Sequence, residues 1–298
     1  MQVNAVKLIY FSPTGTTQKV LRNITNGILA DQVEEISLTP PDADTRAAAE
    51  MGSELAVIGL PVYAGRLPVQ AVSRLRGLRG NYTPAVLVVL YGNRAYEDAL
   101  IELVDLAEAA GFIPVAGGAF IGEHSYTSAE KPLSVGRPDA VDLAQAVQFG
   151  QHVRAKLKSA SSLDELPPLV VPGSRPYKPL KPFDDSAPET DEMLCTLCEE
   201  CMKACPTAAI TIHDRVETDA EKCIVCCACI KVCPTEARIM RDEQVLRSPI
   251  GYMRTIPSVK SRKFSFKTRM SCECREYDIV VFCCISYDDE KSNERSLQ

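Results

Sequence analysis

Residues 223–234 read CIVCCACIKVCP, and five of these twelve positions are cysteine. The spacing Cys223-x2-Cys226-x2-Cys229-x3-Cys233-Pro234 occurs once before, as Cys195-x2-Cys198-x2-Cys201-x3-Cys205-Pro206. All four cysteines are offset by 28 residues, so the segment is an internal duplication. The ties that follow, CPTAAITI and CPTEARIM, match as well. The chain has 298 residues and 13 cysteines, none of them in residues 1–194. An odd, clustered set points to metal rather than to disulfides. A pair of structural zinc sites is the competing reading, but zinc frameworks usually separate their ligand pairs by a longer gap.

The doubled run resembles the two-[4Fe–4S] ferredoxins over about 50 residues. That resemblance implies a small α+β domain over 191–240. It also implies two clusters with crossed ligands. One would use Cys195, Cys198, Cys201 and Cys233, the other Cys223, Cys226, Cys229 and Cys205. The fourth cysteine of each run, followed by proline, leaves its own loop and serves the other cluster. Cys227 stands where the first copy has Glu199 and is expected to be a spare thiol. A pair of one-electron centres makes a relay, which needs a source and a sink.

Upstream, residues 160–190 hold seven prolines and read as an extended, semi-rigid linker. Residues 1–159 alternate apolar runs with amphipathic ones. Strands are expected at Val3–Tyr10, Val33–Leu38, Glu54–Leu60, Thr83–Tyr91 and Phe112–Ile121, rich in Val, Ile and Leu as strands buried on both faces should be. Helices are expected at Thr16–Ala30, Pro68–Leu78, Tyr96–Ala110 and Pro138–Lys158. The alternation predicts an α/β domain with a parallel sheet and helices on both faces.

Between the first strand and helix lies Ser12-Pro13-Thr14-Gly15-Thr16-Thr17. It is neither a Walker A loop nor a G-x-G-x-x-G turn. Hydroxyls and backbone N–H groups at a helix N-terminus suit an anion, and no cation appears before Lys19. The loop resembles the flavodoxin phosphate loop for FMN, and the resemblance covers about 155 residues. It implies a doubly wound, five-stranded parallel sheet of order 2-1-3-4-5, with FMN at the carboxyl ends of the strands. Ser12, Thr14, Gly15, Thr16 and Thr17 would hold the phosphate. The loop Pro61, Val62, Tyr63, Ala64, Gly65 and the loop Gly92, Asn93, Arg94, Tyr96 would flank the ring, with Tyr63 and Tyr96 as the aromatic contacts. Flavodoxins surround the ring with acidic groups, whereas this chain has Arg66 and Arg94 in the two ring loops. Cations there are expected to favour the reduced, negatively charged flavin.

After the fifth strand comes Gly122-Glu123-His124-Ser125-Tyr126-Thr127, followed by Lys131 and Arg137. His124, one of three histidines, is the candidate proton donor to a substrate. Past residue 240, seven Lys/Arg and no Asp/Glu fall between Arg247 and Arg269, a stretch suited to docking an acidic redox partner. Residues 241–298 also hold Cys272, Cys274, Cys283 and Cys284, with a possible strand at Tyr277–Ser286.

The combination resembles the flavodoxin–ferredoxin fusion proteins. What it implies is electron transfer between FMN, two [4Fe–4S] clusters and an external redox protein. A flavin-dependent reductase of a small molecule and an iron or redox sensor are the alternatives. The net charge of −6 argues against a nucleic-acid partner. No apolar run is long enough to span a membrane. The start lacks the pattern of a secretory signal, so a cytoplasmic location is expected.

Overall fold

Strands apolar on both faces bury themselves in the middle of a sheet, and the expected runs do so except the second, QVEEIS, which lies exposed at the edge. The computed structural model describes residues 1–44, 51–128, 132–180, 186–242, 245 and 280–282. β1 (Ala5–Tyr10), β2 (Gln32–Ser37), β3 (Leu55–Pro61), β4 (Pro84–Tyr91) and β5 (Ile113–Ile121) are parallel neighbours in the order 2-1-3-4-5. This is the flavodoxin-like doubly wound topology. One strand beyond the expected five extends it. β10 (Val280–Phe282) pairs in parallel with the outer edge of β5, Val280 opposite Gly117. It lies inside the expected strand at 277–286.

Alternate residues of β1, β3 and β4 feed opposite cores. Leu8 and Tyr10 pack with Val20, Leu21 and Ile24 of α1 (Thr16–Ile28) and with Phe149 and Val153 of α4 (Ala140–Ser159). Ile9 and Ile58 face the other way, onto Ala71 and Leu75 of α2 (Val69–Arg76) and Leu100 and Leu103 of α3 (Ala99–Ala109). α1 and α4 cross at two glycines. A β-carbon on Gly27 would lie 2.0 Å from the Val147 carbonyl oxygen, and one on Gly150 would lie 2.0 Å from that of Ile24. α4 starts on a capping box in which Asp139 and Asp142 each accept from the other's end of the turn.

The proline-rich stretch is extended but not a free tether. It is strapped along α3. Asp98 accepts from the backbone N–H groups of Ser174 (2.9 Å) and Lys178 (2.8 Å). Asp105 binds the Arg175 guanidinium and the Tyr177 hydroxyl. Leu169 and Val171 pack against the core beneath.

The cysteine-rich region is small and two-fold repeated. Each half carries a one-turn helix, α5 (Glu200–Lys203) or α6 (Ala228–Lys231). β6 (Glu189–Thr190) pairs antiparallel with β9 (Arg238–Ile239), and β7 (Ile210–Ile212) with β8 (Val216–Thr218). Backbone conformation repeats with the sequence: Leu197 and Val225 both have φ 53°, and Glu199 and Cys227 have φ 66° and 60°. The apolar core is little more than Ala209, Ile210 and cysteine side chains. No helix of the described residues is long and apolar enough to cross a membrane.

Candidate functional site

The carboxyl ends of β1, β3, β4 and β5 open into a cleft of about 640 Å³. The turn after β1 forms one end. Gly15 takes φ 78°, which brings the chain round into α1, and the Ser12 hydroxyl accepts from the Gln18 N–H at 3.1 Å. Thr14, Thr16 and Thr17 line the cleft, and the first N–H groups of a helix have no acceptor within it. Lys19 turns away and donates to the Pro138 carbonyl. The anion end is therefore built from neutral donors at a helix N-terminus.

The flat part of the cleft is walled by Pro61–Gly65 on one side and by Tyr91, Gly92 and Arg94 on the other. Tyr63 sits in this wall, held by a tight turn in which its N–H and carbonyl both bond Arg66. Burial pushes its hydroxyl well above the usual range. Tyr96 does not reach the cleft. It is buried in the core, edge-on to Tyr91 at 5.5 Å between centroids, and Tyr91 lines the cavity in its place. Ser12, Gly15 and Asn93 likewise shape the loops without forming the wall.

The two arginines separate. Arg66 makes a bidentate pair with Glu102 at 2.8 Å, donates to the Lys178 carbonyl at 2.6 Å, and stacks 4.5 Å over the Tyr177 ring. Its charge is spent on a buried carboxylate, so the expectation that it faces the ring is corrected. Arg94 does line the cleft, tethered by Glu97.

The loop after β5 supplies the side that sequence reasoning half anticipated. His124 lines the cleft, and Gly92 makes room for it, since a β-carbon there would lie 2.3 Å from the imidazole. Its Nδ1 accepts from the Tyr126 N–H at 3.2 Å, which assigns the ring proton to Nε2. Burial, with Arg94 and Lys231 nearby, lowers its pKa to about 4. Tyr126, which sequence reasoning passed over, packs edge-on to His124 and also lines the cleft.

The fourth side comes from the cysteine-rich region. Ala220, Glu221, Cys223, Ile224 and Val225 line the same cleft. Two further cavities lie behind them. Cys205, Cys223, Cys226, Cys227 and Cys229 line the nearer one, and Cys195, Cys198, Cys201 and Cys233 line the farther one. Leaving Cys227 aside, they are grouped as in the two sets that the resemblance named. Among the described residues no three His, Cys, Asp or Glu side chains are close enough to hold a single metal ion; each quartet surrounds open space. Backbone and hydroxyl donors surround the sulfurs: Ala209 N–H donates to Cys205 Sγ at 3.3 Å, and Thr207 and Thr235 stand 3.6 and 3.8 Å from Cys205 and Cys233. Burial pushes the Cys223, Cys226 and Cys229 thiols up, so anions there need a metal to displace the protons. The donor set of each cavity, cysteine thiols ringed by hydrogen-bond donors, fits an iron–sulfur cluster. Cys227 is buried beside the nearer quartet and donates to the Val225 carbonyl. Cys272, Cys274, Cys283, Cys284, Lys131 and the basic stretch 247–269 lie outside the described residues.

The nearer, proximal quartet is buried except for partly exposed Cys223, whereas Cys198 of the distal quartet is exposed. Contacts between the two regions are direct. Arg74, fully buried at its side chain, donates to the carbonyls of Leu38, Thr39 and Pro206 and pairs with Asp44. Lys231 pairs with Glu123 at 2.5 Å.

A family model described as a 4Fe-4S dicluster domain matches residues 187–245. No curated protein matches the chain. Among solved structures it is similar to a flavodoxin from the domain Archaea, at 16% identity and a TM-score of 0.33, over 52% of this chain and 99% of that one. Flavodoxin 1 from Bacillus cereus gives 14%, 0.34, 53% and 99%. The flavodiiron protein from Giardia intestinalis gives 18%, 0.34, 52% and 36%. It is the strand order, not these likenesses, that defines the fold.

Proposed function

We propose that the chain is an electron carrier that moves electrons between FMN in the cleft and two [4Fe–4S] clusters, in exchange with an external redox protein. The observation that carries this reading is that Cys223 and Ile224 line both the cleft and the proximal thiol cavity. On this reading the thiolate cage and the flavin chamber share these two residues as a wall. When bound, FMN supplies two-electron chemistry released one electron at a time, and each cluster supplies one-electron chemistry.

The chain's own residues do the rest. Thr14, Thr16 and Thr17 hold a phosphate with neutral donors. Tyr63 and Tyr126 offer aromatic surface, and the segment 220–225 excludes water from the side facing the thiols. The His124 imidazole is neutral at physiological pH and holds its proton on Nε2, available to a group in the cleft. Exposed Cys198 lies among exposed Met193, Leu194 and Leu197 with Glu192, Glu199 and Glu200 nearby. This makes the distal quartet the side where an external redox protein would exchange electrons. A cytoplasmic setting suits labile thiol-held clusters.

Anaerobic purification with iron, sulfide and flavin quantitation tests the reading. About eight irons per flavin are expected from two cubanes, and rapid mixing should show flavin reduction by the clusters at a rate independent of protein concentration. Colourless protein, or zinc without flavin, would overturn it. A reductase reading draws support from His124 and Arg94 in the cleft wall. Steady turnover of a small substrate would favour it.

A further inference from the structure

Arg238 is the first residue of β9 and is 2% exposed. Among the described residues it has no carboxylate partner. Its Nη1 donates to Thr190 Oγ1 at 2.6 Å and its Nη2 to Thr218 Oγ1 at 2.9 Å, both neutral acceptors. Nη2 also lies 3.8 Å from Cys229 Sγ of the proximal quartet. Nε is buried and has no hydrogen-bond partner at all. The same residue lines the distal cavity, with Cys195, Cys198, Cys201 and Cys233, and its backbone N–H bonds Cys233. One side chain therefore stands between the two quartets.

A guanidinium is always charged. Burying it against neutral hydroxyls alone, with one donor idle, is costly. The duplication shows that the position does not require it: 28 residues earlier the first copy has Ile210, which packs in the small core. What would balance the charge is the content of the cavities. Four thiolates around an iron–sulfur core leave a net negative charge, and reduction adds to it.

Resting on the cluster reading above, we propose that Arg238 is a redox-tuning residue shared by both clusters. Its Nη2 donates to the Cys229 sulfur and its Nε into the distal site, and its charge makes both clusters easier to reduce. Positive charge and hydrogen bonds to sulfur stabilise the more negative, reduced form. Glu199, Glu200 and Glu236 also lack a charged counterpart in the other copy but are exposed, whereas Arg238 is buried, at the junction an electron crosses between the quartets.

The test compares wild type, Arg238→Lys and Arg238→Gln, purified without oxygen, with iron and sulfide counted in each. Potentiometric titration followed by electron paramagnetic resonance should show both midpoint potentials more negative in Arg238→Gln. Arg238→Lys, which keeps the charge, should lie nearer wild type. Full iron and sulfide in Arg238→Gln with wild-type potentials would overturn the proposal while leaving the clusters in place. Should that variant fail to load, the wild-type protein decides: with nitrogen-15 arginine, pulsed resonance of the reduced clusters should detect a guanidinium nitrogen, and its absence overturns the proposal. A wild-type chain without iron removes the cluster reading and the proposal together.

Discussion

The imidazole of His124 rests against Gly92, and its burial there decides its chemistry. Burial lowers its pKa from 6.5 to about 4. In the flavin-free protein the unfolded chain takes up a proton below pH 6.5, one that folded His124 refuses until about pH 4. Stability should therefore fall as pH falls through that window, by up to about 1.4 kcal/mol per pH unit. His124→Asn should remove this part of the slope. Urea unfolding at stepped pH checks it, and parallel curves for the two proteins would refute it. At this scale the sequence was readable where a local pattern carries the chemistry: the hydroxyls of Thr14, Thr16 and Thr17 at a strand-to-helix turn, and the paired cysteine runs. It was misleading where a distant partner decides. Nothing near Arg66 announces Glu102, 36 residues on, and a tyrosine after a strand reads alike whether it lines a cleft, as Tyr63 does, or packs in the core, as Tyr96 does.

Strands and helices of the first 159 residues follow their expected spans with ends shifted by a few residues, because long apolar periods fix an element better than they fix its ends. How two elements meet is another matter. Gly27 and Gly150 let α1 and α4 touch backbone to backbone, and neither glycine is marked by its neighbours in sequence. Gly150→Ala should push the helices apart, destabilising the domain by about 1–3 kcal/mol as overpacking does. Because α1 opens on the loop proposed to hold the FMN phosphate, flavin affinity should weaken with it. Thermal unfolding and a flavin titration check both, and unchanged affinity would show that the loop does not follow its helix. β10 illustrates the opposite difficulty. Three residues pairing at a sheet edge leave only a faint alternation, and the parallel partner, β5, lies more than 150 residues earlier.

The two-part plan of the molecule was legible from composition: no cysteine before residue 195, prolines between, apolar alternation before them. That the parts close on one cleft was not. The contacts that do it, Arg74 to Pro206 and Lys231 to Glu123, join residues with no shared pattern. They differ in weight. Arg74→Leu strands three backbone carbonyls and should cost roughly 3 kcal/mol or more, at about 1–3 kcal/mol for each buried group left unpaired. It should also slow electron exchange between the clusters and the flavin. Lys231→Met removes a partly exposed pair worth under about 1 kcal/mol and should matter less as salt rises. Equal losses in the two variants, by thermal unfolding and rapid mixing, would show that the buried arginine does not hold the parts together. The linker adds to this closure, since Arg175, Tyr177 and Lys178 fasten it to α3 before the first thiol is reached. The loop from Ala220 to Val225 has the largest consequence. Two of its six residues, Cys223 and Ile224, border both the cleft and the proximal thiol cavity, so an injury there is expected to reach both pigments. Brown and yellow are expected to fade in step.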